Sequence, residues 1–345
     1  MVLDKPLADG DRAIALYNST DALATVSVPA ARTGLRHANA YRLRDLWTGD
    51  VRQARDTIAA AVPAHGTVVY RVRPLRAPGH TAPSVTVGAA LGTLVPGESG
   101  TLTTTVTNRG AGAIRDVELT ARAPQGWTVT GTAKRRTLPT DAAMDATWTV
   151  TAPPGTPAGQ YPISLTAAYT WGRHRGTSVS EVVGTVVNAP PDGRRYLSTL
   201  APVRSTNGLG PIGTDLSNGG DATGDGSLIT IAGRVYQRGI GTTAPSEILY
   251  YLGGRCTNLT TDAGLDDEAT ASGPATFTVR ADDTTVAEAV VHPGDPATTL
   301  TADLTGVSWL RLSTTAAANE HTDWAAPALA CGGATPDDPV EPVDR

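Results

Sequence analysis

The sequence predicts an all-β chain of three consecutive β-sandwich domains. Composition is the first observation behind this. The chain has 345 residues, more than one domain usually holds, with 18% charged and 5% aromatic residues, 37 Gly and 25 Pro. Its apolar residues are mostly Val, Leu, Ala and Ile scattered among Thr, a profile of short strands and many turns. The second observation is rhythm: alternating apolar and polar segments recur between Gly, Pro, Asn and Asp clusters. The one helix-period candidate is the short "ARDTIAAAV" (54–62), which stops before Pro63.

Residues 11–28 read as a strand, an Asn-Ser-Thr-Asp turn and a second strand. "AYRLRDLWTGDV" (40–51) alternates and then turns at Trp-Thr-Gly, and "TVVYRVRPL" (67–75) closes a small antiparallel sandwich over residues 1–76. Residues 77–83 are Pro/Gly punctuation. From Ser84 to Asn188, strands return at intervals of roughly ten residues, the rhythm of an immunoglobulin-like sandwich. Within it Trp127, Trp148 and Trp171 fall at strand spacing and are expected in the core, while Trp47 suits a domain-interface anchor.

After a second linker (189–195), residues 196–333 alternate polar Gly-rich loops with the strands "SLITIAG", "SEILYYL", "ATFTVRAD" and "VSWLRLSTT", which again places Trp309 in a core. In "GIGTTAPSEILYYLGG" (239–254), Gly239 and Gly241 are expected to form a tight turn ahead of a strand that starts at Ser246. The acidic, Pro-rich tail, residues 334–345, is expected to be disordered.

A net charge of -5 and a pI near 5.7 give no basic footprint for nucleic acid. No basic amphipathic helix or long apolar run points to a membrane. The first residues lack the marks of an export signal, although the composition looks extracellular. Cys256 and Cys331 are too sparse for zinc and read as one disulfide or as two buried thiols.

Candidate chemistry is thin. No G-x-S-x-G elbow occurs. The adjacent acids Asp266, Asp267 and Glu268 could flank a sugar but more commonly solvate a turn. Asp215, Asn218, Asp221 and Asp225 lie in one Gly-rich loop and offer hard oxygen ligands suited to structural calcium, or form an ordinary surface loop. "NEHTDWAAPALAC" (319–331) collects Asn319, Glu320, His321, Asp323 and Trp324, an aromatic ring beside polar groups of the kind that holds a sugar. The alternative there is a core Trp324 beside a structural His321–Asp323 pair.

These segments resemble known families. "KPLADGDRAIALYNSTDALATVSV", "YRLRDLWTG" and "VPAHGTVVYRV" resemble the C-terminal antiparallel domain that follows the catalytic barrel in melibiase-type α-galactosidases, glycoside hydrolase family 27. The middle segment is similar to their associated immunoglobulin-like NEW3 domain. The third resembles the NPCBM, or family 51 carbohydrate-binding module, with a galactose-binding-like jelly-roll fold. It carries "NG-x-GP" from Asn207, "SNGG" from Ser217, "G-I-G-T-x-A-P-S-E" from Gly239 and "H-x-DW" from His321.

The resemblance implies a sugar site at Asn207, Thr243, Glu247, His321, Asp323 and Trp324. Leu209 stands where that family usually has Trp, and Gly213 and Thr243 where it often has Glu and His. It further implies a non-catalytic region that holds terminal galactose-type glycans outside the cell. The barrel with the catalytic aspartates is not in these residues, so no hydrolysis is expected from this chain alone, and a separate or missing barrel is the implied partner. The alternatives are a truncated or split α-galactosidase, or a surface protein whose jelly roll binds nothing.

Overall fold

The computed structural model describes residues 1–77, 79–268, 273–317 and 320–340. Its regular elements are strands and two short 3-10 turns, Ala30–Thr33 and Leu197–Thr199. The chain divides into two compact units, residues 1–187 and residues from 188 onward.

The first unit holds two sandwiches. One has a five-stranded sheet in the order Val2–Pro6, Arg12–Tyr17, Thr67–Leu75, Ala40–Asp45, Val51–Ala54, and a two-stranded sheet of Ala24–Pro29 and Thr57–Val62. Alternation along Arg12–Tyr17 turns Ile14 and Leu16 inward to meet Tyr41, Leu43, Ile58, Val62 and Val72. The helix-like "ARDTIAAAV" is therefore a strand from Thr57. Pairing with Ala24–Pro29 and burial of Ile58 and Val62 override the helix preference of its alanines.

In the other sandwich, Ala133–Leu138, Ile114–Arg122, Gly159–Trp171 and His174–Val186 form one sheet. Thr128–Thr130, Ala143–Thr151, Ser99–Asn108 and Val85–Leu91 form the other. Trp148 is core, its Nε1 donating to Thr104 Oγ1 at 3.0 Å. Trp127 and Trp171 are half-buried against the same core.

The segment expected as a linker is stitched down at its end. Gln53 N donates to Ala82 O and Ser84 N to Gln53 O, both at 2.7 Å, and the Gln53 Oε1 accepts from Ala111 N at 2.8 Å. Backbone groups of residues 82–84 thus find partners on the first sandwich rather than in water.

The second unit opposes two sheets. The larger runs Gly213–Thr214, Gly239–Thr243, His321–Cys331, Cys256–Leu265, Thr298–Asp303, with Gly193–Tyr196 also paired to the long strand. The smaller runs Arg204–Thr206, Ser246–Tyr251, Trp309–Ala316, Ala275–Ala281, Thr284–Val291. Ile240, Ile248, Tyr250, Phe277, Leu310, Leu312, Trp324 and Leu329 fill the space between.

The two cysteines are bonded, Cys256 to Cys331, with an S–S distance of 2.09 Å. "SLITIAG" is not one strand: only Thr230–Ile231 pairs, with Arg234–Val235 in a small hairpin. Trp309 is half-buried rather than core, because its side of the strand faces away from the inter-sheet space. The described part of the acidic tail, up to residue 340, makes contacts with the rest of the second unit. Arg194 bridges Val340 and donates from Nη1 to Asp338 O at 3.0 Å, while Thr335 N caps onto Asp338 Oδ2. Residues 341–345 lie outside the described residues.

Candidate functional site

The "GIGTTAPSE" stretch is the frame of the site, and its glycines do not make a turn. Gly239–Thr243 is a strand buried at every position; the chain then passes through a cis Ala244–Pro245 bond into the strand Ser246–Tyr251 of the opposite sheet. Gly241 is needed for close approach: a Cβ there would lie 2.5 Å from Leu216 O and from the Ser217 carbonyl carbon. Gly213 is alike, since a Cβ would meet Ser217 O at 2.4 Å. A Glu at 213 therefore has no room here.

That close approach lets the 207–227 loop lie on the sheet, where two asparagines fasten it. Asn207 Oδ1 accepts from Thr243 N at 2.7 Å and its Nδ2 donates to Leu209 O at 2.7 Å. Asn218 Oδ1 accepts from Thr243 Oγ1 at 2.7 Å, and its amide donates to Pro211 O. Asn218 and Thr243 are fully covered. Thr243 lies directly opposite His321, which is half-buried, with an Nδ1 that is buried and has no hydrogen-bond partner. Leu209 is 46% exposed at the tip of this loop.

The next position on the same face is Asp323, which pairs with Gly241 on one side and Gly264 on the other. It is buried, and neither of its oxygens meets a donor. Its carboxyl is held well above the usual carboxylate range, first by burial, then by the neighbouring Asp266 carboxyl and by the charges of Glu268 and Asp267. These acids are structural in geometry. Asp266 accepts from Thr230 N at 3.1 Å and Glu268 N at 2.9 Å, and Asp267 caps the small hairpin through Ala232 N and Gly233 N, both at 2.8 Å.

The six residues that sequence reasoning placed in one sugar site are not brought together. Asn207, Thr243, His321 and Asp323 gather on the larger sheet, but Trp324 points the other way. It is 0% exposed and meets Phe277 edge-on at 5.1 Å, so it offers no ring to a ligand. The two-residue period of a strand puts neighbours on opposite faces, which is why Asp323 and Trp324 part.

Thr243 and Asp323 are covered, so neither offers a surface contact. Glu247 lies on the outer side of the smaller sheet, clamped by Arg204 at 2.7 Å and Arg311 at 3.1 Å. Asn319 falls outside the described residues.

The calcium set does not fit either. Asp215 is paired with Arg238 at 2.5 Å, Asn218 is spent on Pro211 and Thr243, and Asp225 Oδ2 accepts from Asp221 N and Ala222 N at 2.9 and 2.7 Å. Asp221 contributes its backbone to that turn. Among the described residues no group of three or more His, Cys, Asp or Glu side chains converges as a metal centre.

Sequence reasoning missed a buried hydroxyl ladder that ties the sheets together at this end. Thr242 and Thr322 meet at 2.6 Å, Thr322 and Thr314 at 3.2 Å, Thr314 and Ser246 at 2.7 Å. Threonine and serine are so common in this chain that no sequence signal singled out Thr242, Thr314, Thr322 and Ser246.

Comparison with known proteins divides the chain the same way. The family model of the alpha galactosidase C-terminal beta sandwich domain matches residues 2–72. That of the NPCBM-associated NEW3 domain of alpha-galactosidase matches 94–170, and that of the NPCBM/NEW2 domain matches 193–330.

A Renibacterium salmoninarum protein named as an endo-alpha-N-acetylgalactosaminidase is 29% identical over 258 residues, 72% of this chain and 17% of its own length. An Aspergillus fumigatus protein named as alpha-galactosidase A is 37% identical over 71 residues, 21% of this chain and 13% of its own length. The chain thus spans less than a fifth of either relative. Among solved structures, CBM51 from Clostridium perfringens GH95 in complex with methyl-galactose aligns with 40% of this chain and 99% of its own, at 26% identity and a TM-score of 0.35.

The chain therefore carries the C-terminal β-sandwich of α-galactosidases, the NEW3 domain associated with it and an NPCBM/NEW2 domain. Matches of this kind support a carbohydrate-binding region.

Proposed function

We propose that the NPCBM/NEW2 domain of this chain holds terminal galactose-type glycans outside the cell, with the two preceding sandwiches as support, for an α-galactosidase-type catalytic domain. The observation that carries this is the match of residues 193–330 together with His321, a half-buried motif residue with an unpartnered ring nitrogen, opposite the Thr243 to which Asn207 fastens its loop. Sugar contacts then come from His321 and the 207–211 loop, with Leu209 supplying an apolar surface smaller than an indole. Trp324, Thr243 and Asp323 shape the floor beneath.

Calorimetric titration with methyl α-galactoside, N-acetylgalactosamine and glucose tests the reading. Binding of a galactose-configured sugar that falls about tenfold or more on His321→Ala, with an unchanged melting temperature, supports it. No heat at millimolar sugar would remove it and favour the second reading, a structural surface protein, for which the covered Thr243 and the exposed Leu209 speak.

The described residues contain no helix longer than the four-residue Ala30–Thr33 turn, so a (β/α)₈ barrel with paired carboxylates is not among them. The expected turnover of an aryl α-galactoside by this chain is nil. Activity that survives repurification would overthrow that expectation.

A further inference from the structure

We propose that the outer face of the first five-stranded sheet binds an acidic saccharide, through the carboxylate or sulfate of the sugar and the guanidinium groups of Arg42, Arg44 and Arg73. This site lies in the first unit and stands whether or not the NPCBM/NEW2 domain binds galactosides.

The geometry begins with register. In the pairing of Ala40–Asp45 with Thr67–Leu75, Arg42 stands directly opposite Arg73 and Arg44 directly opposite Arg71. Like charges placed opposite one another across a sheet oppose pairing. Two such pairs side by side are an arrangement that folding alone does not favour. They line a cleft of about 210 Å³ whose other lining residue is Asp11.

The carboxylates nearby are already engaged. Asp9 and Asp11 both bind Arg71, Asp11 at 2.7 Å. Among the described residues, no ion pair or hydrogen bond engages the guanidinium of Arg42, Arg44 or Arg73. Arg44 and Arg73 are exposed and Arg42 half-buried. Arg71 is thereby held in place, while three forks of five N–H donors each are left for an outside acceptor.

The chain as a whole is negative, at -5, so general attraction to a polyanion is absent and any retention has to come from a local patch. The cleft is sized for one oxyanion group or one sugar residue rather than for a protein surface. A planar fork matches the two oxygens of a carboxylate or sulfate. The hairpin turn that follows Arg44 carries Trp47, 72% exposed, and Leu46, 48% exposed. Aromatic and apolar side chains at the end of a cationic strand suit a ligand with both an anionic group and a pyranose face.

The experiment uses the full chain against immobilised chondroitin sulfate, polygalacturonate and neutral dextran, at low and at physiological ionic strength, with inorganic sulfate as competitor. The expected result is retention on one or both acidic polymers, none on dextran, and weakening with salt. The double variant Arg42→Gln/Arg73→Gln should lose about tenfold or more in affinity. Asp11→Asn, which frees part of Arg71, should bind more tightly, a change that misfolding cannot imitate.

Selective retention on the sulfated or the uronate polymer identifies which oxyanion the cleft takes. No retention on either polymer at low salt, equal binding by parent and double variant, or inorganic sulfate displacing the polymer at equal concentration would each overturn the proposal; the last would mean an adventitious ion only.

Discussion

Two polar surfaces of this chain are built in opposite ways. On the larger sheet of the second unit, Asn207, Asn218, Thr243 and Asp266 are committed to one another and to backbone groups, and Asp323 is sealed beneath them. On the first sheet of the first unit, no ion pair among the described residues engages Arg42, Arg44 or Arg73 in their open cleft. The first region is rich in family motifs yet presents few groups to solvent. The second lies within the resembling segments "YRLRDLWTG" and "VPAHGTVVYRV" and beside them, and presents many. Motif density there reports how a loop is held down, whereas unsatisfied charge reports where a ligand can gain most.

The comparison breaks most visibly at Trp324. If the larger sheet's polar face rests on the core behind it, Trp324→Ala should destabilise the second unit by about 3–5 kcal/mol, seen as an early transition in denaturant unfolding. A mild effect would return Trp324 to the candidate contacts.

Next in size, Cys256→Ser/Cys331→Ser opens a bridge across a sequence separation of 75 residues. The loss is roughly 4 kcal/mol in the chain-entropy model, confined to the second unit. Calorimetry should show the first unit's transition unmoved.

Asp323→Asn sharpens the buried side of the contrast. Because the folded carboxyl is raised, the native state holds a proton that the unfolded chain has released once pH exceeds the ordinary carboxylate range. Stability therefore falls as pH rises through the window from that range to the raised value. The variant should lose this slope, melting roughly a few degrees above the parent at neutral pH and level with it in acid. A parallel pH profile in both proteins would show that Asp323 is ionised in the fold.

The smallest effect belongs to the arginine face. Arg42→Gln should leave stability within about 0.5 kcal/mol, or raise it slightly by relieving the pair with Arg73. A large loss on thermal unfolding would mean that Arg42 holds the sheet together rather than waiting for a ligand.

Much of the fold was legible in the chain. Alternation along Arg12–Tyr17 or Ser246–Tyr251 marks which residues turn inward, because a pleated strand has a fixed period. The site was legible only in part. "G-I-G-T-T" looks the same whether its glycines serve a turn or make room for an overlying backbone, and residues 216–217 that need the room are over twenty positions away. "H-T-D-W" reads as one cluster, but the period that identifies the strand also sends Asp323 outward and Trp324 inward.

By itself, then, the sequence determined the all-β class, the resemblance to three domain families and the candidate pair Cys256 and Cys331, since composition, turn chemistry and local period are properties of short segments. Only the tertiary structure decided that Thr243 and Asp323 are covered, that Glu247 sits in an arginine clamp and that Arg42 faces Arg73. Burial and cross-strand register depend on which distant segments meet, and no short window of sequence contains both partners.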